Sequence, residues 1–204
     1  MQKDQTTEEK IKLTAKKLFH EKGYGQTKTR DIAEAAGINT ALLNYYFRSK
    51  ENLFNIIMLE SVQEMFSFIR EIVNDQKTNL DSKIRAIVDH YINIFHENPN
   101  LPLFVLSEIQ ANPERLIQKS KIPKDILTES YFFEQLNEQI KKAGINITPI
   151  HIFLNIISLT ILPVVGRPIM SYIYTMDINA HSDFINERRE LIPLWIKTML
   201  KLDK

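Results

Sequence analysis

The chain has 204 residues, of which 44% are hydrophobic, so it is long and apolar enough to bury a substantial core. It contains no cysteine, which excludes disulfides, thiolate zinc sites and a cysteine nucleophile, and fits a reducing compartment. The formal charge is only +1, but residues 1–50 hold ten Lys and Arg against six Asp and Glu, whereas the remainder holds sixteen against nineteen. The basic excess therefore lies at the N-terminal end.

The N-terminal region predicts short capped helices. Thr6 and Glu9 have the spacing of a capping box, and the apolar face that follows is expected to end at Gly23. Thr27 is expected to cap a second helix, which Gly37 ends because glycine adopts the left-handed conformation readily. This region is dense in Lys and Glu and has no apolar signal segment, so we expect a cytoplasmic protein.

Two further caps predict where the next helices begin. Asn39 is expected to cap a short third helix, and Ser49 a fourth. From Glu51 to about Asn74, apolar residues form two stripes, which predict a helix buried between neighbours. We therefore expect a small domain over residues 1–50 and a larger helical domain over residues 51–204, joined through this fourth helix.

The rest of the chain also has helical spacing, without the alternation typical of strands. Further helices are predicted over Leu80–His96, Leu101–Gln110, Lys124–Ala143, Ile150–Tyr174 and His181–Leu202. Pro163 and Pro193 fall inside two of these, and each predicts a kink or a helix end. The most apolar segment, 150–165, contains polar residues and a proline, so it is typical of a buried core helix and not of a membrane span.

The second and third helices have the packing residues of a helix-turn-helix. Ala33 is small enough to let the two helices approach, Gly37 turns the chain, and Ile38 and Leu43 anchor the third helix to the second. The outer face of the third helix then carries Thr40, Ala41, Asn44 and Tyr45. A short helix of this kind fits the major groove of DNA, where Asn44 can pair with the edge of an adenine.

Groups that can bind phosphate flank this helix. Lys28 and Arg30 lie in the first turn of the second helix, where the helix dipole also favours an anion. Lys50 lies at the start of the fourth helix, and the hydroxyls of Tyr45 and Tyr46 can bond phosphate oxygens. The pattern indicates phosphate contacts on both sides of one base-reading helix.

Three stretches within residues 6–53 resemble a known family. They are Thr27-Lys-Thr-Arg-Asp-Ile-Ala33, Ala36-Gly-Ile38 and Tyr46-Phe-Arg-Ser-Lys-Glu-Asn-Leu53, and they resemble the N-terminal domain of TetR-type transcriptional regulators. The resemblance implies an all-α protein, with a three-helix DNA-binding domain joined through helix 4 to a larger ligand-binding and dimerisation domain. The sequence departs from the family pattern at Asn44, where tyrosine is usual.

The resemblance also implies which residues contact DNA. Base contacts are carried over to Arg30, Thr40, Ala41, Asn44 and Tyr45. Contacts to the DNA backbone are carried over to Lys28, Thr29, Tyr46 and Lys50, and Asn39 joins this site as the cap of the reading helix. The implied function is a ligand-responsive regulator, most simply a repressor, that binds a palindromic operator as a homodimer and is released by a small, largely apolar effector. The resemblance implies neither a cofactor nor an enzymatic activity.

The second half of the chain supplies the other two predicted sites. Its aromatic and methionine residues are core residues by default, yet they leave room for an apolar cavity between helices. The predicted effector pocket consists of Met65, Phe68, Phe104, Tyr131, Phe132 and Phe153. The predicted dimer interface consists of Ile185, Ile192, Trp195, Ile196 and Met199, which with the apolar segment 150–174 can form a four-helix contact between two subunits.

Other classes of function remain open from the sequence. The five histidines have no metal-binding spacing, so no metal site is predicted, and the chain has neither a glycine-rich phosphate loop nor a nucleophile elbow. An enzyme or small-molecule carrier with purely structural N-terminal helices would show no salt-sensitive retention on DNA. An adaptor that grips a protein with the short helix would form a one-to-one complex without DNA.

Overall fold

The computed structural model describes residues 6–120 and 125–202, which form eleven helices and no strand. In chain order the helices are α1 Thr7–Gln26, α2 Thr29–Ala35, α3 Thr40–Phe47, α4 Lys50–Asn74, α5 Leu80–Glu97, α6 Leu101–Ala111, α7 Pro113–Ser120, α8 Tyr131–Ala143, α9 Pro149–Val165, α10 Arg167–Tyr174 and α11 Ile178–Leu200. The all-α fold predicted from the sequence is confirmed.

Helix α1 begins and bends at the residues expected. The Thr6 hydroxyl accepts a hydrogen bond from the Glu9 N–H, and the Glu9 carboxylate accepts one from the Thr6 N–H, so the capping box is formed. Gly23 interrupts the helix with φ 72° and ψ 174°, a conformation that is essentially restricted to glycine. The regular helix therefore ends at Gly23, and the chain continues helically to Gln26.

The cap predicted for α2 is wrong by one residue. Thr27 is fully buried, and its hydroxyl donates to the carbonyl of Gly23 at 2.8 Å, so it serves the end of α1. Lys28 occupies the cap position of α2, and its backbone N–H donates to the Asp31 carboxylate at 3.1 Å. The reason is that a buried hydroxyl needs a partner and the free carbonyls at the end of α1 supply one.

The caps predicted for α3 and α4 are confirmed. The Asn39 side-chain oxygen accepts from the Leu42 N–H at 2.8 Å, which starts α3. The Ser49 hydroxyl accepts from the Asn52 N–H at 3.1 Å, at the start of α4. These local interactions are short-range in sequence, so the sequence pattern was sufficient to find them.

The chain divides into two compact units, each with its own core. The first comprises residues 6–63 and 103–120, and the second comprises residues 64–102 and 125–202. Helix α4 is continuous and supplies residues to both units. These two units are defined by how the residues pack. The predicted boundary at residue 50 instead separates a DNA-binding domain from an effector-binding domain, and it stays a prediction.

In the first unit, α1 packs on α2 and α2 packs on α3. Phe19 is fully buried, and its ring meets the ring of Phe54 edge to face at 5.1 Å. Phe104 of α6 packs its ring on His20, with 4.5 Å between the ring centroids. These ring contacts hold α4 and α6 against α1.

The second unit is built around α5, which packs against α8, α9 and α11. Its core contains the fully buried rings of Tyr91, Phe95 and Phe132. Lys83 is also buried, and its ammonium donates to the side-chain oxygen of Gln135 at 3.0 Å and lies 4.3 Å from the Tyr131 ring centroid. Burial lowers the pKa of Lys83, and these two partners compensate part of its lost hydration.

Two helix boundaries around residues 113–131 differ from the prediction. No helix was predicted between Gln110 and Lys124, but Pro113 begins α7, because proline lacks an N–H that the first helical turn does not need. Helix α8 begins at Tyr131, where the Ser130 hydroxyl accepts from the Phe133 N–H, and residues 125–130 form turns. Lys124, the predicted start, lies outside the described residues.

The single helix predicted over 150–174 is two helices, α9 and α10, bent by 65° at Gly166. Pro163 has no N–H to donate to the Leu159 carbonyl one turn earlier, which frees that carbonyl within α9. Arg188 of α11 donates to it from Nε at 3.2 Å and from Nη2 at 3.0 Å. His181 Nε2 donates to the Pro163 carbonyl at 3.1 Å, so α11 satisfies both carbonyls at the break.

Pro193, in contrast, remains inside α11, which continues to Leu200. This helix begins at Ile178, three residues before the predicted start, because the Asp177 carboxylate accepts from the Ala180 N–H. Within the described ranges no single helix is long and apolar enough to cross a membrane, and only the bent pair of α9 and α10 meets the length and composition criteria together.

Candidate nucleic-acid interface

The turn between α2 and α3 is tightly packed. Ala33 and Leu43 are buried at the contact of the two helices, and Gly37 has φ 66°, which a side chain would strain. The Ile38 N–H donates to the Ala33 carbonyl at 2.9 Å, and the Gly37 N–H donates to the Glu34 carbonyl at 3.0 Å. These bonds hold the start of α3 in one orientation on α2, as a helix-turn-helix requires.

The outer face of α3 is open to solvent. The four residues assigned to it, Thr40, Ala41, Asn44 and Tyr45, are all exposed. Tyr45 is 79% exposed, and its ring meets that of Tyr46, itself 37% exposed, edge to face at 5.3 Å. A ring so exposed adds little to the stability of the chain, so it is available to a partner. Contact with DNA through this face stays a prediction.

Lys28 and Arg30 are exposed at the start of α2, and Thr29 between them is half-buried. Asn39, the cap of α3, is exposed as well. Neither the Lys28 ammonium nor the Arg30 guanidinium donates to a protein group in the part of the chain that the structure describes. Both cations therefore keep their hydrogen-bond donors for solvent or for an anion.

Lys50, the other predicted phosphate contact, already has partners within the protein. Its ammonium donates to the carbonyls of Tyr24 at 3.0 Å and Thr27 at 2.9 Å, and it lies 4.0 Å from the Tyr24 ring centroid. Lys50 thus ties the start of α4 to the connection between α1 and α2. A phosphate contact would use its third N–H. The sequence did not predict this structural role, because the acceptors are backbone carbonyls, which every residue carries.

Arg48 is a residue at this surface that sequence reasoning did not single out. It is exposed and has φ 65° and ψ −46°, and the Ser49 N–H donates to the Phe47 carbonyl at 2.7 Å across it. This is a strained γ-turn, and such strain clusters at functional sites. Its charge was the available signal in the sequence, because Arg48 lies between α3 and Lys50.

The six residues of the predicted effector pocket lie in several environments. Met65, Phe132 and Phe153 are buried in the second unit, whereas Phe104 belongs to the first. The remaining two are half-buried: Phe68 stacks on His90 with 4.5 Å between ring centroids, and Tyr131 lies against the Lys83 ammonium. A pocket lined by this set stays a prediction.

The predicted dimer residues do not share one free face, and three of them need correction. Ile185, Ile192 and Ile196 are buried in the chain's own core, so a partner subunit cannot reach them, whereas Trp195 and Met199 are 37% and 44% exposed. The exposed apolar side chains on α9 and α11 are Ile150, Leu154, Leu162, Ile178, Leu194, Trp195 and Met199. The spacing of α11 is apolar on two sides and did not reveal which side faces inward.

Two short helices joined at a glycine turn, with an exposed second helix flanked by Lys and Arg, define the helix-turn-helix class of DNA-binding domains. Residues 13–57 match the family model for bacterial regulatory proteins of the tetR family. This match covers the helix-turn-helix, so the N-terminal part of the chain has the DNA-binding domain of the tetR family of regulatory proteins.

Similar proteins agree with this assignment. The chain is 24% identical to the probable HTH-type transcriptional regulator YttP of Bacillus subtilis, over 96% of its own length and 95% of that protein. It is 41% identical to the HTH-type transcriptional repressor KstR2 of Rhodococcus jostii over 130 residues, which are 63% of this chain and 60% of KstR2. The crystal structure of the TetR-family regulator PfmR of Thermus thermophilus matches with a TM-score of 0.59 at 20% identity, over 89% and 96% of the two chains. At this identity the structural match shows the fold.

Proposed function

We propose that the protein is a cytoplasmic, ligand-responsive transcriptional repressor that binds a palindromic DNA operator as a homodimer. The observation that carries the proposal is the exposed outer face of α3, held on α2 by the buried Ala33 and Leu43. Two such helices in a dimer, separated by about 34–36 Å, enter successive major grooves on one side of the duplex. The name of KstR2 as a repressor favours repression over activation.

Two kinds of DNA contact are assigned in this proposal. Base edges are contacted by Arg30, Thr40, Ala41, Asn44 and Tyr45. The DNA backbone is contacted by Lys28, Thr29, Tyr46 and Lys50, and we add Arg48 because it is exposed beside them. Backbone contacts set affinity and its salt dependence, whereas base contacts set specificity.

The dimer is proposed to form through α9 and α11. Leu154 and Leu162 of α9 are 51% and 69% exposed, and Leu194 of α11 is 51% exposed, next to the partly exposed Trp195. Helices α9 and α11 pack on each other within the second unit. Exposed apolar side chains concentrated on two neighbouring helices are typical of a subunit interface, and a two-fold axis through them forms a four-helix contact.

The effector is proposed to act through α4. This helix is continuous from Lys50 to Asn74, so its residues belong both to the unit with α2 and α3 and to the unit with the apolar core. A small, largely apolar effector that prefers one dimer geometry changes the separation of the two reading helices. The coupling is typically about 1–3 kcal/mol, and DNA must weaken effector binding by the same factor.

The test is selection of bound duplexes from a random pool, followed by fluorescence anisotropy on the selected sequence at several salt concentrations. We expect a palindrome whose half-sites lie about one helical turn apart, bound by two chains. Retention of no duplex, or of duplexes without salt dependence, would contradict DNA binding and favour a carrier or an adaptor. A non-palindromic site bound by one chain would contradict the dimer.

A further inference from the structure

A cavity lies in the second unit at the break between α9 and α10. Its volume is about 290 Å³. The end of α5, the break itself and the start of α11 form its walls. Phe95, Val164 and Ile185 supply apolar surface, whereas Arg167, Asn179 and Ser182 supply polar groups. None of the residues predicted for the effector pocket lines it.

Arg167 is the only Lys or Arg among the described residues that line this cavity, and it has no protein partner there. It is half-buried, and no carboxylate or carbonyl of the described residues accepts from its guanidinium. No Asp or Glu lines the cavity, and the neighbouring Asp177 carboxylate is engaged as the cap of α11. A partly desolvated guanidinium without an acceptor favours an anion, and a carboxylate matches its planar fork.

A hydrogen bond joins two of the elements that line the cavity. His181 also lines it, and because a carbonyl can only accept, His181 Nε2 carries the proton that bonds the Pro163 carbonyl at 3.1 Å. This bond joins α11 to the end of α9, just before Gly166 turns the chain into α10. The start of α11, which carries Asn179 and Ser182, is therefore tied to the end of α9 beside the cavity.

We propose that this cavity binds a small monocarboxylate with an apolar body. The carboxylate accepts from the Arg167 guanidinium, and the Asn179 amide and Ser182 hydroxyl are the neutral donors nearby. The apolar body lies against Phe95, Val164 and Ile185. Such a ligand connects α10 to α11, and α10 carries the exposed side chains of Ile169 and Tyr172, so occupancy changes the surface beside the proposed dimer interface.

Binding of the carboxylate does not depend on DNA recognition. The ligand's role as an effector rests on the proposed function. The probe is 3-phenylpropanoate, measured by isothermal titration calorimetry on the DNA-free protein. We expect the wild-type protein to bind it at least tenfold more tightly than 3-phenylpropan-1-ol, which has the same ring and chain but no charge. Arg167→Gln should remove that preference. Arg70→Gln, which changes an exposed arginine of α4 outside the cavity, should retain it.

Equal affinity for the acid and the alcohol in the wild-type protein, or no binding of either, would overturn the proposal. So would an unchanged preference in Arg167→Gln. The comparison of acid with alcohol uses the wild-type protein alone, so it decides the question even if the variant does not fold. Fluorescence anisotropy with the selected operator then tests the role as an effector. If 3-phenylpropanoate binds but does not lower the affinity for DNA, the binding site is supported and its role as an effector site is contradicted.

Discussion

Lys28 and Lys50 carry the same charge at two edges of the helix-turn-helix, yet their surroundings differ. Lys28 is exposed and its ammonium has no acceptor among the described residues, whereas Lys50 donates to two carbonyls at 2.9 and 3.0 Å. A charged hydrogen bond to a partly buried carbonyl stabilises the fold, while an exposed ammonium does not. The sequence predicted both lysines as phosphate contacts, because the carbonyl partners of Lys50 cannot be identified from a sequence.

We therefore expect the two lysines to separate stability from DNA affinity. Lys50→Met should lower the free energy of unfolding by about 1–3 kcal/mol, since two carbonyls lose a charged donor. Lys28→Met should leave that free energy unchanged, weaken binding to all DNA sequences alike and lower the salt slope by about 1. Urea denaturation and salt-dependent anisotropy measure these effects. Equal unfolding free energies for the two variants would show that Lys50 has no structural role.

His90 gives a second prediction at the level of a residue. Its Nε2 is buried without a partner in the described part of the chain, its ring stacks on Phe68, and burial lowers its pKa. The unfolded histidine, with a pKa of about 6.5, takes up a proton that the folded one resists, so stability must fall as the pH drops below about 7. His90→Gln should reduce this fall, as measured by urea denaturation between pH 5 and 8. Parallel curves across that range would contradict the assignment.

Among the elements of this fold, the sequence predicted the local caps of helices better than the features that depend on distant packing. The caps by Asn39 and Ser49 depend on partners three residues away, and they were predicted correctly. The start of α8 was missed because a turn and a helix share the same apolar spacing over 125–130. The dimer residues were assigned to the wrong side of α11 because Ile192 and Trp195 are equally apolar, and only packing decides which is buried. The donors that satisfy the Leu159 and Pro163 carbonyls come from α11, which lies far away in the sequence, so spacing around Pro163 did not reveal them.

A double-mutant cycle tests whether Arg188 compensates for the N–H that Pro163 lacks. Arg188→Met should destabilise the protein by about 1–3 kcal/mol, because the Leu159 carbonyl loses both donors from Arg188. In the Pro163→Ala background this cost should shrink, since the substituted alanine restores an N–H that can donate to Leu159. The coupling is expected to be at least about 0.5 kcal/mol in urea denaturation. The same cost in both backgrounds would mean that Arg188 does not compensate for the proline.

For the whole molecule, the exposed surfaces determine the function that we propose. The outer face of α3 carries polar and aromatic side chains beside free cations, and α9 and α11 carry exposed apolar side chains. The first surface suits a nucleic-acid groove, and the second suits a copy of the same chain. In a two-fold dimer each base-contacting residue acts twice, so changing one residue must affect two operator positions related by symmetry.

The most direct test repeats the selection of duplexes with Asn44→Ala and compares the preferred sequence with that of the wild-type protein. Asn44 is exposed on α3, and its loss should relax the preference at one pair of symmetry-related positions by about 1–3 kcal/mol, with the salt slope unchanged. An unchanged preferred sequence, or a uniform loss of affinity at all sequences, would contradict the claim that the outer face of α3 reads DNA.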